Sequence, residues 1–415
     1  MARVVITGIG AISPNGIGRE CFWKATCNGV SGVRRITRFD PSQFVVQVAG
    51  EVSDSFDEKI WVEVKDRPHV SRAVPMAAAA VNEALGDAGL NVRSMTRDEL
   101  REIGVIVGSG GGSQDFTEEQ YRLYYSGHQK QCSVYTIPTS TIGTLASEVS
   151  MRFGLRGMSH IVSTGCTSST DALGYSFRHI KMGVMKTMVA GGVDSPIAPL
   201  ILRGFQLMRI MSTRWNHEPH RASRPFSRDR DGFVLAEGSW FFVLEEMEQA
   251  KARGAKIYGE IAGYGSTCEA FHRVRLEECG EEPARAIGLA LDEAGIPPGE
   301  VQYINYHGTS TELNDRIETR AVKLAFNGHA YKLAGSSLKS LIGHPQGACG
   351  AAGVAVTLLA MRDGIVPPTI NVDEPDPECD LDYVPGEARK MEIENAVANC
   401  IAFGSKNSAL ALRRV

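Results

Sequence analysis

The chain repeats itself. ALGDAGL at 84–90 and ALDEAGI at 290–296 match closely, and each closes a helical pattern just before an apolar, strand-like run. The surrounding order of elements recurs as well. The strand-like RVVITGIG (3–10), the helical PMAAAAVNEALGDAGL (75–90) and the strand IGVIVGSG (103–110) are answered by IYGEIAGYG (257–265), PARAIGLALDEAGI (283–296) and VQYINY (301–306). IVSTGCTSSTDALGYSFRHIKMG (161–183) and IGHPQGACGAAGVAVTLLAMRDG (342–364) both read as a turn, a small-residue helix and a closing glycine. Finally, NCIAFGSKNS (399–408) answers the strand TMVAGG (187–192). Such alternation predicts mainly parallel sheets covered by helices. It gives an α/β chain of two similar halves, about 1–250 and 251–415, with the Ala- and Gly-rich helices buried between sheets. No low-complexity linker divides the halves, so they are expected to share an interface.

At 415 residues, 43% of them hydrophobic, the chain is long enough for two such units. No apolar run approaches the ~20 residues of a membrane span. The start, MARVVITGIG, lacks the features of a signal peptide. The expectation is a cytoplasmic protein. A net charge of −4 gives no basic stripe for nucleic acid. The nine cysteines, at 21, 27, 132, 166, 268, 279, 349, 379 and 400, contain no CxxC pair. Their scatter and odd count predict reduced thiols, with neither a disulfide frame nor a zinc site.

Three polar motifs carry the chemistry. Cys166 stands where a strand gives way to a helix, and a helix N-terminus favours a thiolate and can hold an oxyanion. A buried structural thiol is the competing reading. His307, in NYHGTSTELNDRIET (305–319), directly follows an apolar strand, where parallel α/β folds place functional groups. His344, in SSLKSLIGHPQG (336–347), lies in a glycine-flanked turn before a small-residue helix. One histidine in a turn says little; two at matched positions, one of them pseudo-equivalent to the Cys166 turn, suggest a nucleophile with partners.

On these motifs, together with VVITGIGAISPNG, SRPFSRDRDGFVLAEG and FGSKNSAL, the whole chain resembles β-ketoacyl-acyl-carrier-protein synthases of the condensing-enzyme superfamily. It is most similar to the elongating synthase II type and to ketosynthase subunits of bacterial type II polyketide systems. The resemblance implies a thiolase-like fold: five layers, αβαβα, from two pseudo-symmetric halves. The N-terminal half would carry the nucleophilic cysteine, and the C-terminal half both histidines. It implies that Cys166 is the acylated nucleophile and that His307 and His344 are the active-site histidines. Lys339 would support the second histidine with Glu318 as its ion-pair partner, and Asp315 would join the same network. Thr309 and Thr311 would touch the phosphopantetheine arm. Phe403 would gate the site, and its N–H would complete an oxyanion hole with Cys166.

The implied reaction moves an acyl group to Cys166, decarboxylates a malonyl-carrier between two neutral imidazoles, and joins the two fragments. It needs no metal and no cofactor beyond the carrier's phosphopantetheine. The implied partners are an acyl carrier protein and a second subunit, either a copy of this chain or a chain-length-factor relative. Neither a membrane nor nucleic acid is implied.

The chain departs from the family pattern in places. Ile401 stands where phenylalanine is common, Ser239-Trp240 where small residues are frequent, and Gly111 where the family often has isoleucine near the acyl pocket floor. The last change predicts a longer or wider pocket. Acidic carriers call for a basic docking surface, with Arg209 at the tunnel mouth and Lys65, Arg67, Arg72 and Lys130 as further candidates. A non-catalytic chain-length-factor-like subunit is the alternative, but it would lack the cysteine. A thiolase would want a Cys-His-Cys arrangement, and Cys349 and Cys400 do not sit in that motif. A starter synthase would want asparagine in place of the second histidine.

Overall fold

The computed structural model describes residues 2–415. In the first half, strands β1 (Val4–Ser13), β2 (Ile103–Gly108), β3 (Ser159–Val162), β4 (Thr187–Asp194) and β5 (Gly238–Glu246) lie in the order β3-β2-β4-β5-β1. In the second, β6 (Gly259–Cys268), β7 (Tyr303–Asn305), β8 (Ala334–Ser336), β9 (Asn395–Ala402) and β10 (Lys406–Arg413) lie in the order β8-β7-β9-β10-β6. The two orders are the same when strands are counted within each half, so the sequence repeat is a structural one.

The sheets are mixed rather than mainly parallel. In each half the second, third and fourth strands run parallel, while the fifth pairs antiparallel with the fourth and with the first. The two sheets also join edge to edge, because Val4–Ile6 of β1 pairs antiparallel with Gly259–Ile261 of β6. Residues 399–408 hold the end of β9, a tight turn and the start of β10, with Ala402 opposite Lys406, and β9 takes the place in its half that β4 takes in the first.

Helices α1 (Ala73–Asp87), α2 (Ser168–Lys181), α3 (Glu281–Ala294), α4 (Glu312–Phe326) and α5 (Cys349–Asp363) fill the layers. α1 covers β1 and β5, and α3 covers β6 and β10. α2 and α5 pack on each other in the middle layer, each against strands of both halves. Small residues make this possible. A Cβ on Gly350 of α5 would lie 2.0 Å from Thr170 Oγ1 of α2, so the helices approach closer than any side chain allows. α5 is consequently buried on nearly every face, as a helix between two sheets must be. No helix among the described residues is long and apolar enough to cross a membrane.

Candidate active site

The turn between β3 and α2 places Cys166, and side chains of the helix's own first turn build it. Ser168 Oγ accepts from the Thr164 N–H at 2.9 Å and donates to the Gly165 carbonyl at 2.6 Å. Asp171 accepts from Thr164 Oγ1 at 2.5 Å and, across the halves, from the Tyr264 hydroxyl at 2.7 Å. Gly165 takes φ +74°, the left-handed conformation that re-aims the chain into the helix. The thiol that results is buried at the bottom of a pocket.

The equivalent turn of the second half, between β8 and α5, places His344 against it. His344 Nε2 lies 3.1 Å from Cys166 Sγ. The stretch from Phe233 to Ala236 backs this histidine. The His344 N–H donates to the Val234 carbonyl at 2.7 Å, the Ala236 N–H donates to the His344 carbonyl at 3.0 Å, and the Phe233 ring meets the imidazole edge-on. His307 follows β7 and stands edge to face with His344, the ring centroids 5.3 Å apart. Burial, with the Lys339 charge adding to it, pushes His307 down to about 3. Burial also lowers His344. Both imidazoles are therefore neutral near pH 7. Burial pushes the Cys166 thiol up, against the pull of Lys339 and of the Phe403 N–H directed at it. Cys166 thus rests as a thiol beside a neutral imidazole whose nitrogen is placed to accept its proton.

Ile210, Phe233, Leu276, Leu313, Ile401 and Phe403 make the pocket wall apolar, while Thr309 and Thr311 line it with hydroxyls 3.0 Å apart. Such a channel suits a long thioester arm with few polar groups.

Residues 1–250 match the family described as Beta-ketoacyl synthase, N-terminal domain, and residues 258–373 match its C-terminal domain. The chain belongs to the β-ketoacyl synthase family. It is 41% identical over 412 residues to the 3-oxoacyl-(acyl-carrier-protein) synthase 2 of Synechocystis sp., spanning 99% of this chain and 98% of the relative. Two solved structures superpose on it at a TM-score of 0.90 with 32% identity, each covering 100% of this synthase and 99% of the other chain. One is a type II polyketide ketosynthase in complex with its acyl-carrier protein; the other is the ishigamide ketosynthase/chain length factor. The synthase is accordingly an acyl-transferring condensing enzyme of the thiolase-like fold.

The supporting network differs from the one the family resemblance implied. Glu318 makes no ion pair with Lys339: among the described residues no carboxylate lies within 4.0 Å of the Lys339 amine. Instead the Glu318 carboxylate accepts from the His307 N–H at 2.6 Å, the Gly308 N–H at 2.7 Å and Asn399 Nδ2 at 2.6 Å. It holds the backbone of His307, and burial pushes it up to about 7. Asp315 belongs to another network, accepting from the Phe226 N–H at 2.8 Å with Arg230 at 3.5 Å. Lys339 remains close to the site by its charge, which bears on Cys166, both histidines and two further thiols.

Gly111 does not border the pocket that holds Cys166. Its N–H donates to Asp194, and a Cβ there would meet Gln114 Oε1 at 3.0 Å, so Gln114 occupies the space that was expected to be open. Arg72 is no docking residue. Its side chain is 8% exposed and grips Glu237 through two guanidinium nitrogens, both at 2.9 Å. Lys65, Arg67 and Lys130 are exposed but lie away from the pocket lining, and Lys65 pairs with Glu63 at 3.0 Å. Arg209 is exposed beside Ile210, which lines the pocket. Arg275 lines the pocket itself and is exposed; nothing in its local sequence had marked it.

Asp194 was also missed. From the end of β4 its carboxylate accepts from Ser109 Oγ (2.6 Å), the Gly110 N–H (2.8 Å), the Gly111 N–H (3.0 Å) and the Gly347 N–H (2.7 Å). It thereby ties the His344–Gly347 turn of one half to the β2 loop of the other. An Asp194→Asn variant turns an amide N–H₂ toward those donors. We expect it to lose about 2–4 kcal/mol in urea unfolding, and a loss below the error of the extrapolation would contradict the clamp.

Proposed function

We propose that this synthase extends an acyl chain held on Cys166 by two carbons from malonyl-acyl carrier protein. The observation that carries the reading is the contact of Cys166 Sγ with His344 Nε2 at 3.1 Å, with His307 beside it, at the floor of an apolar channel. His344 takes the thiol proton as the thiolate attacks the incoming thioester and hands it to the carrier sulfur as that thiol leaves, which returns the imidazole to its neutral form. The Cys166 and Phe403 N–H groups receive the oxyanion, and the Phe403 N–H already draws the thiol down against the burial that raises it. Malonyl-carrier then enters, with Thr309 and Thr311 against its phosphopantetheine arm. Loss of CO₂ leaves an electron pair as an enolate, stabilised by N–H donation from the two neutral imidazoles. The enolate carbon attacks the acyl carbonyl, a C–C bond forms, and the C–S bond to Cys166 breaks. Thioester cleavage and CO₂ release drive the cycle, and the chemistry calls for no redox cofactor and no metal.

The β-ketoacyl product fits either fatty-acid or polyketide synthesis. Partnership with an acyl carrier protein is supported by the ketosynthase structure that holds one. Partnership with a second ketosynthase-like chain, identical or a chain-length factor, is supported by β3, an exposed edge strand at the end of the sheet. The non-catalytic alternative is not favoured, because the thiol and both imidazoles converge here. The test is turnover: purified protein with acyl- and malonyl-carriers should release CO₂ and give β-ketoacyl-carrier in equal amounts. CO₂ release without a condensed product would contradict the reading.

The pocket mouth predicts how the carrier docks. Arg209→Glu or Arg275→Glu should raise KM for the carrier roughly tenfold while leaving kcat within about twofold, with the effect shrinking as salt is added. A fall confined to kcat would remove these arginines from docking.

A further inference from the structure

Two thiols that the condensation does not use lie directly behind His307. Cys349 begins α5 and Cys400 lies on β9; both are buried, and their sulfurs are 3.6 Å apart. Cys400 Sγ is 3.5 Å from His307 Nδ1, and one ligand atom from each of the three residues falls within 4.8 Å of the others. Both sulfurs also face the Cys166 carbonyl oxygen, at 3.3 Å and 3.1 Å. A tetrahedral zinc ion with Zn–S about 2.3 Å and Zn–N about 2.0 Å has S···S edges of about 3.8 Å and S···N edges of about 3.5 Å. The S···S distance of 3.6 Å and the S···N distance of 3.5 Å are already close to those lengths.

The geometry points to a binding site for a thiophilic divalent cation such as Zn²⁺, held by Cys349 Sγ, Cys400 Sγ and His307 Nδ1, with the Cys166 carbonyl as the fourth donor. Two thiolates and a neutral imidazole make the centre electrically neutral, which suits a fully buried position. Binding forms two metal–sulfur bonds, one metal–nitrogen bond and one metal–oxygen bond, and it releases the two thiol protons to solvent. An ion on Nδ1 fixes the imidazole proton on Nε2, the nitrogen left for the pocket that His307 lines.

The test is titration of the reduced full-length protein with Co²⁺. One equivalent should produce thiolate-to-cobalt charge transfer in the near ultraviolet and intense tetrahedral bands in the visible. Two protons per metal should be released, and Zn²⁺ should bleach the spectrum. Cys349→Ser and Cys400→Ser should each lose the charge-transfer intensity of one sulfur. Cys166→Ser, which keeps its carbonyl, and Cys21→Ser, at the surface, should keep all of it. A silent spectrum in protein that condenses acyl chains overturns the site and leaves the proposed function standing. Bands lost in Cys166→Ser, or kept in the folded Cys349→Ser/Cys400→Ser double variant, overturn it as well.

Discussion

Cys166→Ala will abolish condensation, lowering turnover on the order of 10⁴-fold or more, while leaving the protein folded. Cys166 carries the one thiol among the residues that line the apolar channel, and no other group there can form the thioester on which the second half-reaction depends. Structurally the change is small. The turn is held by Ser168 and Asp171 rather than by the sulfur, so the loss in urea unfolding should be about 1 kcal/mol. Turnover and stability therefore separate in this variant. Retained condensation would place the acyl chain elsewhere, whereas global unfolding would mean that the turn depends on the sulfur after all.

The histidines should separate as well. His307→Ala and His344→Ala should each slow decarboxylation of malonyl-carrier by about 10²–10³-fold, the usual cost of removing one oxyanion donor. Only His344 touches the sulfur, so only His344→Ala should also slow formation of the acyl-thioester. Equal effects of the two variants on acylation would contradict this division. Because burial holds His307 at about 3, its protonation should contribute no acid limb near the ordinary histidine value of 6.5; a limb near 7 that vanishes in Glu318→Gln would report Glu318 beneath the His307 backbone instead. The same burial makes acid destabilising. As pH falls below 6.5 the unfolded chain protonates His307, while the native state does not until about 3, so stability is lost through that window.

Much of this was legible in the sequence because it is local. Strand–turn–helix chemistry around Gly165 and Gly343 marks where Cys166 and His344 stand, and the ALGDAGL/ALDEAGI repeat marks the pseudo-symmetry that brings the two turns together. What was not legible depends on contacts far apart in the chain. The antiparallel fifth strand of each half carries no signal that distinguishes it from a parallel one, since both are buried and apolar. Glu318 reads equally well as a partner for Lys339 or as an acceptor for the His307 backbone, and only the β9 neighbour Asn399 decides it. Asp194 sits 153 residues from the Gly347 N–H it binds. Cys349 and Cys400 have none of the spacing of a ligand pair, because α5 and β9 meet only in the folded sheet. Arg72 looked like any surface cation until Glu237 enclosed it.

The central claim is that Cys166 carries the growing chain, and mass spectrometry of the Cys166 peptide tests it most directly. Wild-type protein offered acyl-carriers of graded length, without malonyl-carrier, should gain the mass of one acyl group on that peptide and lose it when malonyl-carrier is added. Failure to acylate with any chain length, or acylation at another residue, would contradict the account.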